Sequence, residues 1–151
     1  MVMYYFDGID KQKELKTILD SWVGTPFKHK TAVKGKGCDC IHLVGCVFQE
    51  MGLLVFNKKT VPDYPPDWHL HNTRELLSEG IISRLNVEKK DLNNLMNGDI
   101  ILSHYGKASS HAGIYFDGYV YQALTRIGVR KINFKDQKYR KQMKFVYRVK
   151  K

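Results

Sequence analysis

The residue with the clearest potential for catalysis is Cys40, which follows a stretch rich in glycine and lysine. Asp39 before it is a typical N-cap, so a helix beginning here holds the thiol in its first turn. The positive end of the helix dipole and nearby lysines favour the thiolate that attacks carbonyl carbon. The lysines just upstream are Lys28, Lys30, Lys34 and Lys36. We interpret Cys40 as a nucleophile, although a lone cysteine at a helix start is more often a small packing residue.

A predicted hairpin supplies the partners that such a nucleophile needs. Asp117-Gly118 is a strong two-residue turn signal between strands over 111–116 and 119–124. Counting back from this turn sets Gly113 opposite Gln122 and makes His111 and Gln122 diagonal neighbours on one face, with the other face toward the core.

Thiol, imidazole and a polar group that orients the imidazole are the parts required for acyl transfer through a thioester. We expect Cys40 to attack, His111 to act as base and then as acid, and Gln122 to fix the ring. Backbone N–H groups at the helix start are candidate oxyanion donors. A strand histidine at a sheet edge and an ordinary exposed glutamine are the structural alternatives.

A zinc site is the competing interpretation, because four potential ligands fall within nine residues: Cys38, Cys40, His42 and Cys46. On a helix, however, Cys40 is rotated nearly opposite His42, and paired C-x-x-C knuckles are absent. The spacing therefore predicts no metal, and Cys46 is expected in the core.

Substrate contacts are predicted from a proline-rich loop over 61–71 and from the helix beside the thiol. Restricted aromatic side chains bind with little entropy loss, so Tyr64, Trp68 and His69 are expected to line a cleft, unless they only cover the core. His42 follows the nucleophile closely and is expected to shape the space beside it.

The remaining pattern predicts an α+β domain over 1–151, with N-terminal helices packed on a small antiparallel sheet. A helical stripe over 11–23 has Asp10 as a possible N-cap and Gly24 as its stop, and a second helix from Cys40 ends at Gly52. Residues 28–37 are expected to form a loop, and a short helix is expected to reach Gly80. Further strands are predicted at 100–102, 129–134 and 144–149.

The formal net charge of +10 is concentrated near the end of the chain. Residues 131–151 hold nine Lys or Arg against one Asp, a local balance of +8. This segment is predicted either to bind an anionic polymer weakly or to be a solvated, charged last strand. No aromatic-flanked motif indicates specific nucleic-acid binding.

The first residues lack a signal peptide pattern, and no apolar run is long enough to cross a bilayer. Three cysteines, two of them separated by one residue, do not indicate a disulfide scaffold. We therefore expect synthesis in the cytoplasm, where thiols stay reduced.

Three segments together resemble the signature of the NlpC/P60 cysteine peptidases: Gly24-Thr25-Pro26-Phe27, Gly37-Cys38-Asp39-Cys40 and Ser110-His111-Ala112-Gly113-Ile114-Tyr115. Gly98-Asp99-Ile100 fits a further strand of that pattern. The resemblance looks closest to single-domain forms associated with phage tails. It implies a papain-like α+β fold, no cofactor, and cleavage of amide bonds in peptidoglycan stem peptides.

Matching by residue, the resemblance implies Cys40 as nucleophile, His111 as base and Gln122 in the third position. The sequence departs from the pattern where Ile41 and His42 stand in place of a small residue and glycine, and where glutamine replaces the commoner histidine. A thiol acyltransferase or amidase on a non-wall substrate and a silent adaptor of a phage tail or secretion complex are the alternatives. Action at the wall would require delivery in a particle or lysis of the producer.

Overall fold

Two helices packed against one antiparallel sheet form the main architecture, which confirms the predicted α+β class. The computed structural model describes residues 3–55, 76–105 and 109–151. In chain order the elements are α1 (Ile9–Trp22), β1 (Ala32–Val33), β2 (Gly37–Cys38), α2 (Cys40–Glu50), α3 (Leu76–Arg84), β3 (Val87–Lys90), β4 (Ile100–His104), β5 (Ser109–Phe116), β6 (Tyr119–Leu124), β7 (Gly128–Asn133), α4 (Gln137–Arg140) and β8 (Met143–Val149).

The six-stranded sheet has the order β3-β8-β4-β5-β6-β7, and every neighbouring pair is antiparallel. The last strand therefore lies inside the sheet, between β3 and β4. Val146 and Val149 of β8 are buried, and Arg148 is buried against Asp99. The expectation of a solvated last strand was wrong, because the buried side chains between the lysines outweigh the charge of the segment.

Helix α2 is the core helix that carries the nucleophile candidate. It buries Leu43, Val44, Val47 and Phe48, and Gly52 follows it with a φ of +78°. This left-handed conformation is one that glycine adopts without strain.

Before β3, the chain differs from the predicted elements in three places. Helix α1 begins after Gly8, so Asp10 lies in its first turn and is not its N-cap. Residues 28–37, expected to form a loop, include β1 and the start of β2, which pair as a short antiparallel hairpin. Helix α3 extends to Arg84, beyond the predicted end at Gly80.

The β5–β6 hairpin has the predicted register, with Gly113 opposite Gln122 and Phe116 opposite Tyr119. Asp117 and Gly118 both have positive φ angles, as a type I′ turn requires. The predicted core face is confirmed for Ala112, Ile114, Phe116, Tyr121 and Ala123, whereas Tyr119 is 37% exposed.

The opposite face of this hairpin is also covered, which the sequence did not predict. Val120 packs there with Ile101, Met143 and Val146 in a second apolar cluster. His111 and Gln122 on this face are therefore buried. Within the described residues, no helix combines the length and the apolar character needed to cross a membrane.

Candidate active site

A cavity of about 470 Å³ lies where the start of α2 meets the start of β5. Cys40 and His111 both line it, so the fold brings the predicted nucleophile and base to one space. Its other walls include His29 from the loop after α1 and Lys138 and Tyr139 from α4.

The thiol of Cys40 is held at the helix start by Asp39, the predicted N-cap. Asp39 Oδ1 accepts a hydrogen bond from the backbone N–H of His42 at 2.9 Å, which fixes the first turn of α2. Cys40 Sγ donates to the backbone oxygen of Ser110 at 3.7 Å. The register of β5 against β4 shifts between Ser103 and His104, opposite His111 and Ser109, and leaves Ser110 outside the ladder. Its carbonyl is thereby available to the thiol.

The electrostatic surroundings of Cys40 differ from the prediction. Burial and then the charge of Asp39 raise the pKa of the Cys40 thiol to about 12, while the backbone N–H groups of Ala112, Ile41 and Cys40 itself act in the opposite direction. No lysine is among the groups with the largest effects on this pKa. Lys34, for example, pairs with Glu50 at 2.7 Å, at the other end of α2. Burial therefore opposes the thiolate that the helix dipole and the lysines were expected to favour.

Asp39 links the helix start to the preceding loop. Oδ1 also accepts from His42 Nδ1 at 2.6 Å, and Oδ2 accepts from the backbone N–H of Lys30 at 2.8 Å and lies 3.8 Å from His29 Nδ1. Burial opposes the charged carboxylate, but the hydrogen bonds from His42 and Lys30 outweigh it and hold the pKa of Asp39 below its ordinary value. Asp39 thus stays charged beside the thiol.

His111 is oriented by Gln122 through a hydrogen bond of 2.5 Å between Nε2 and Oε1. The amide oxygen can only accept, so Nε2 carries the proton and Nδ1 is the basic nitrogen of the neutral ring. Burial lowers the pKa of His111, and the bond to Gln122 raises it in part. The Tyr105 ring meets the imidazole edge to face, with ring centroids 5.8 Å apart.

The loop before β1 is fixed to β2 and β7 by backbone hydrogen bonds. Cys38 N donates to Pro26 O and Lys28 N to Cys38 O, both at 3.0 Å. Gly24 N donates to Val129 O at 2.9 Å, which attaches the same loop to β7. These contacts bring His29 to the cavity wall, where its side chain is 32% exposed.

Unlike Cys40 and His111, none of the predicted substrate-contact residues is found among the described residues that line the cavity. His42 is 1% exposed, is bound to Asp39 and does not line the cavity, because its position in the first turn points into the protein. Tyr64, Trp68 and His69 lie outside the described residues. Sequence reasoning missed His29 and Lys138, since no local pattern marks either one.

The described part of the chain contains no group of three or more His, Cys, Asp or Glu side chains arranged to hold a metal ion. The cavity residues instead form a thiol and imidazole arrangement. Such groups can transfer an acyl group through a thioester.

Solved structures of several proteins share the fold. NlpC1 from Trichomonas vaginalis has a TM-score of 0.65 at 15% identity, and an NLP/P60 family lipoprotein-like protein from Staphylococcus aureus has 0.65 at 16%. Both alignments cover 98% of this chain but only 47% and 43% of those proteins, so the chain spans less than half of their length. The NlpC/p60 domain of peptidoglycan hydrolase SagA has a TM-score of 0.61 at 14% identity, covering 89% of this chain and 96% of that domain.

No curated protein matches the sequence significantly. The sequence model of the NlpC/P60 family matches residues 24–148, which include both sides of the cavity. Members of this family are typically cysteine peptidases or amidases. Because the match covers most of the chain and the fold agrees with it, the chain belongs to the NlpC/P60 family.

Proposed function

We propose that this protein is a cysteine peptidase that hydrolyses amide bonds in peptidoglycan stem peptides. The observation that carries the proposal is the bond between His111 Nε2 and Gln122 Oε1, on a wall of the cavity that also holds Cys40. It selects the tautomer in which Nδ1 accepts a proton. The peptidoglycan substrate is supported by the family and by SagA, a peptidoglycan hydrolase with the same fold.

In the first half of the reaction, Cys40 Sγ attacks the amide carbonyl carbon as its proton passes to His111 Nδ1. The carbon–nitrogen bond then breaks, His111 returns the proton to the leaving amine, and a thioester remains. Backbone N–H groups at the start of α2, near Cys40, are the candidate donors to the oxyanion. In the second half, His111 takes a proton from water, whose oxygen attacks the thioester, and the thiol is released.

Burial of both groups favours transfer of the thiol proton to His111 during the attack rather than before it. Burial disfavours both the thiolate and the imidazolium. Gln122 stabilises the imidazolium as it forms, since a hydrogen bond to a charged group is stronger than the same bond to a neutral one. The site therefore depends on general-base catalysis by His111.

The experiment is mass spectrometry of muropeptides treated with the wild type, Cys40→Ala and Cys46→Ala. Cys46 is the matched control, because it lies on the same helix and packs partly against the core away from the cavity. We expect new stem-peptide fragments from the wild type and from Cys46→Ala only. Fragments from Cys40→Ala, or no fragments from the folded wild type, would contradict the proposal.

Association with a phage tail is a finer part of the same proposal, supported only by the pattern of short motifs in the sequence. The protein would then reach the wall within a particle. Co-sedimentation of the protein with purified particles is the expected result. A protein that stays entirely in the supernatant would contradict this delivery route.

A further inference from the structure

The basic segment near the end of the chain contributes to the cavity through α4. Asp136 begins this short helix, and its Oδ1 accepts from the backbone N–H of Lys138 at 3.1 Å. The turn holds Lys138 and Tyr139 among the residues that line the same cavity as Cys40. Lys138 is the only lysine or arginine among the described residues that line this cavity.

The charge of Lys138 has no carboxylate partner in the described part of the chain. Its Nζ lies 5.4 Å from the centroid of the Tyr139 ring, and the side chain is exposed. The carboxylate lining the cavity is Asp39, whose side chain is 4% exposed and whose oxygens accept bonds from His42 and Lys30. The accessible charge of the cavity is therefore positive.

We infer that Lys138 forms a subsite for a carboxylate group of the substrate, so that the enzyme favours acyl donors with a free carboxylate near the amide bond that is cut. This inference rests on the proposed acyl-transfer function for its choice of substrate. A lysine ammonium is a compact charge on a flexible stem, so it can follow a carboxylate whose position varies. Solvent screening limits the expected preference to about fivefold.

The first test compares the alkylation of Cys40 by two reagents of similar size. Iodoacetate carries a carboxylate, and iodoacetamide carries a neutral amide in its place. In each case sulfur bonds to the methylene carbon, iodide leaves and the thiol proton passes to solvent. The rate at the Cys40 peptide is measured by mass spectrometry in the wild type, Lys138→Met and Lys135→Met. Lys135 is the matched control, since it is exposed in the same segment but does not line the cavity.

We expect Lys138→Met to lower the ratio of iodoacetate to iodoacetamide rates by about fivefold at low salt, with a smaller effect at high salt. Lys135→Met should leave the ratio nearly unchanged. An unchanged ratio in Lys138→Met, or an equal fall in both variants, would overturn the inference.

This test needs no peptidoglycan, so its result is independent of the muropeptide digest that tests the proposed function. Where the digest succeeds, a second comparison uses muropeptides whose carboxyl next to the cut amide is free or amidated. Lys138→Met should raise KM for the free carboxylate and not for the amide, with kcat retained. Equal KM changes for both substrates would contradict the subsite.

Discussion

Replacement of Gln122 tests how His111 is oriented. Gln122→Leu keeps most of the side-chain volume but removes the 2.5 Å hydrogen bond to His111 Nε2. A hydrogen bond to a group that becomes charged contributes about 1.5–3 kcal/mol. At about 1.4 kcal/mol per tenfold change, kcat/KM should fall by roughly 10-fold to 150-fold.

The same substitution has a defined effect on the pH profile. The bond to Gln122 raises the pKa of His111 against the effect of burial, so its loss lowers that pKa further. The base must be unprotonated to act, and the acid limb of kcat/KM should therefore move to lower pH. Gln122→Glu should move it to higher pH, because a carboxylate stabilises the imidazolium.

Gln122→Glu is a fair comparison because Gln122 Nε2 has no hydrogen-bond partner in the described part of the chain. Replacing this NH₂ group by an oxygen atom therefore removes no hydrogen bond to the described residues. The assay is muropeptide cleavage from pH 5 to 9, with Gln137→Leu as an exposed control away from the cavity. An unchanged kcat/KM and pH profile in a folded Gln122→Leu would refute the orienting role.

Two further substitutions test the electrostatics of the site and of the sheet. Asp39→Asn removes the charge that helps to raise the pKa of Cys40, so alkylation of Cys40 by iodoacetamide at pH 8 should accelerate on the order of tenfold. Because the folded pKa of Asp39 is lowered, its stabilisation is present above the ordinary value of 3.8 and is lost as pH falls through the folded value. Urea unfolding should therefore show a wild-type advantage at pH 7 that shrinks in acid. Arg148→Met leaves Asp99 buried without its bidentate partner, and should lower the free energy of unfolding by about 3–5 kcal/mol.

The controls separate these effects from general loss of charge. Glu14→Gln breaks an exposed pair with Lys11 and should leave the free energy of unfolding nearly unchanged. Slower alkylation of Cys40 in Asp39→Asn would contradict the first prediction. Equal urea midpoints for Arg148→Met and Glu14→Gln would contradict the second.

The parts of the site that lie close together in the chain could be predicted from the sequence. Asp39 caps the helix locally, and the Asp117-Gly118 turn fixes the register that sets Gln122 near His111. Both depend on short-range rules of helix capping and hairpin pairing.

The parts that depend on distant contacts could not be predicted. Strand β8 lies between β3 and β4, where it is paired with both and joined by a buried ion pair between Arg148 and Asp99, which are 49 residues apart. Lys138 reaches the cavity only because the chain turns back from β7 into β8. The raised pKa of the Cys40 thiol results mainly from burial, which local arguments about dipoles and lysines do not include.

The most direct test of the central claim is muropeptide cleavage in increasing concentrations of hydroxylamine. A thioester at Cys40 can react with hydroxylamine in place of water, which releases the thiol and leaves a hydroxamate at the cut end. We predict that the hydroxamate replaces the carboxylate in proportion to hydroxylamine, and that neither product forms with Cys40→Ala. Cleavage that gives only carboxylate at every concentration, or hydroxamate from Cys40→Ala, would contradict a thioester at Cys40.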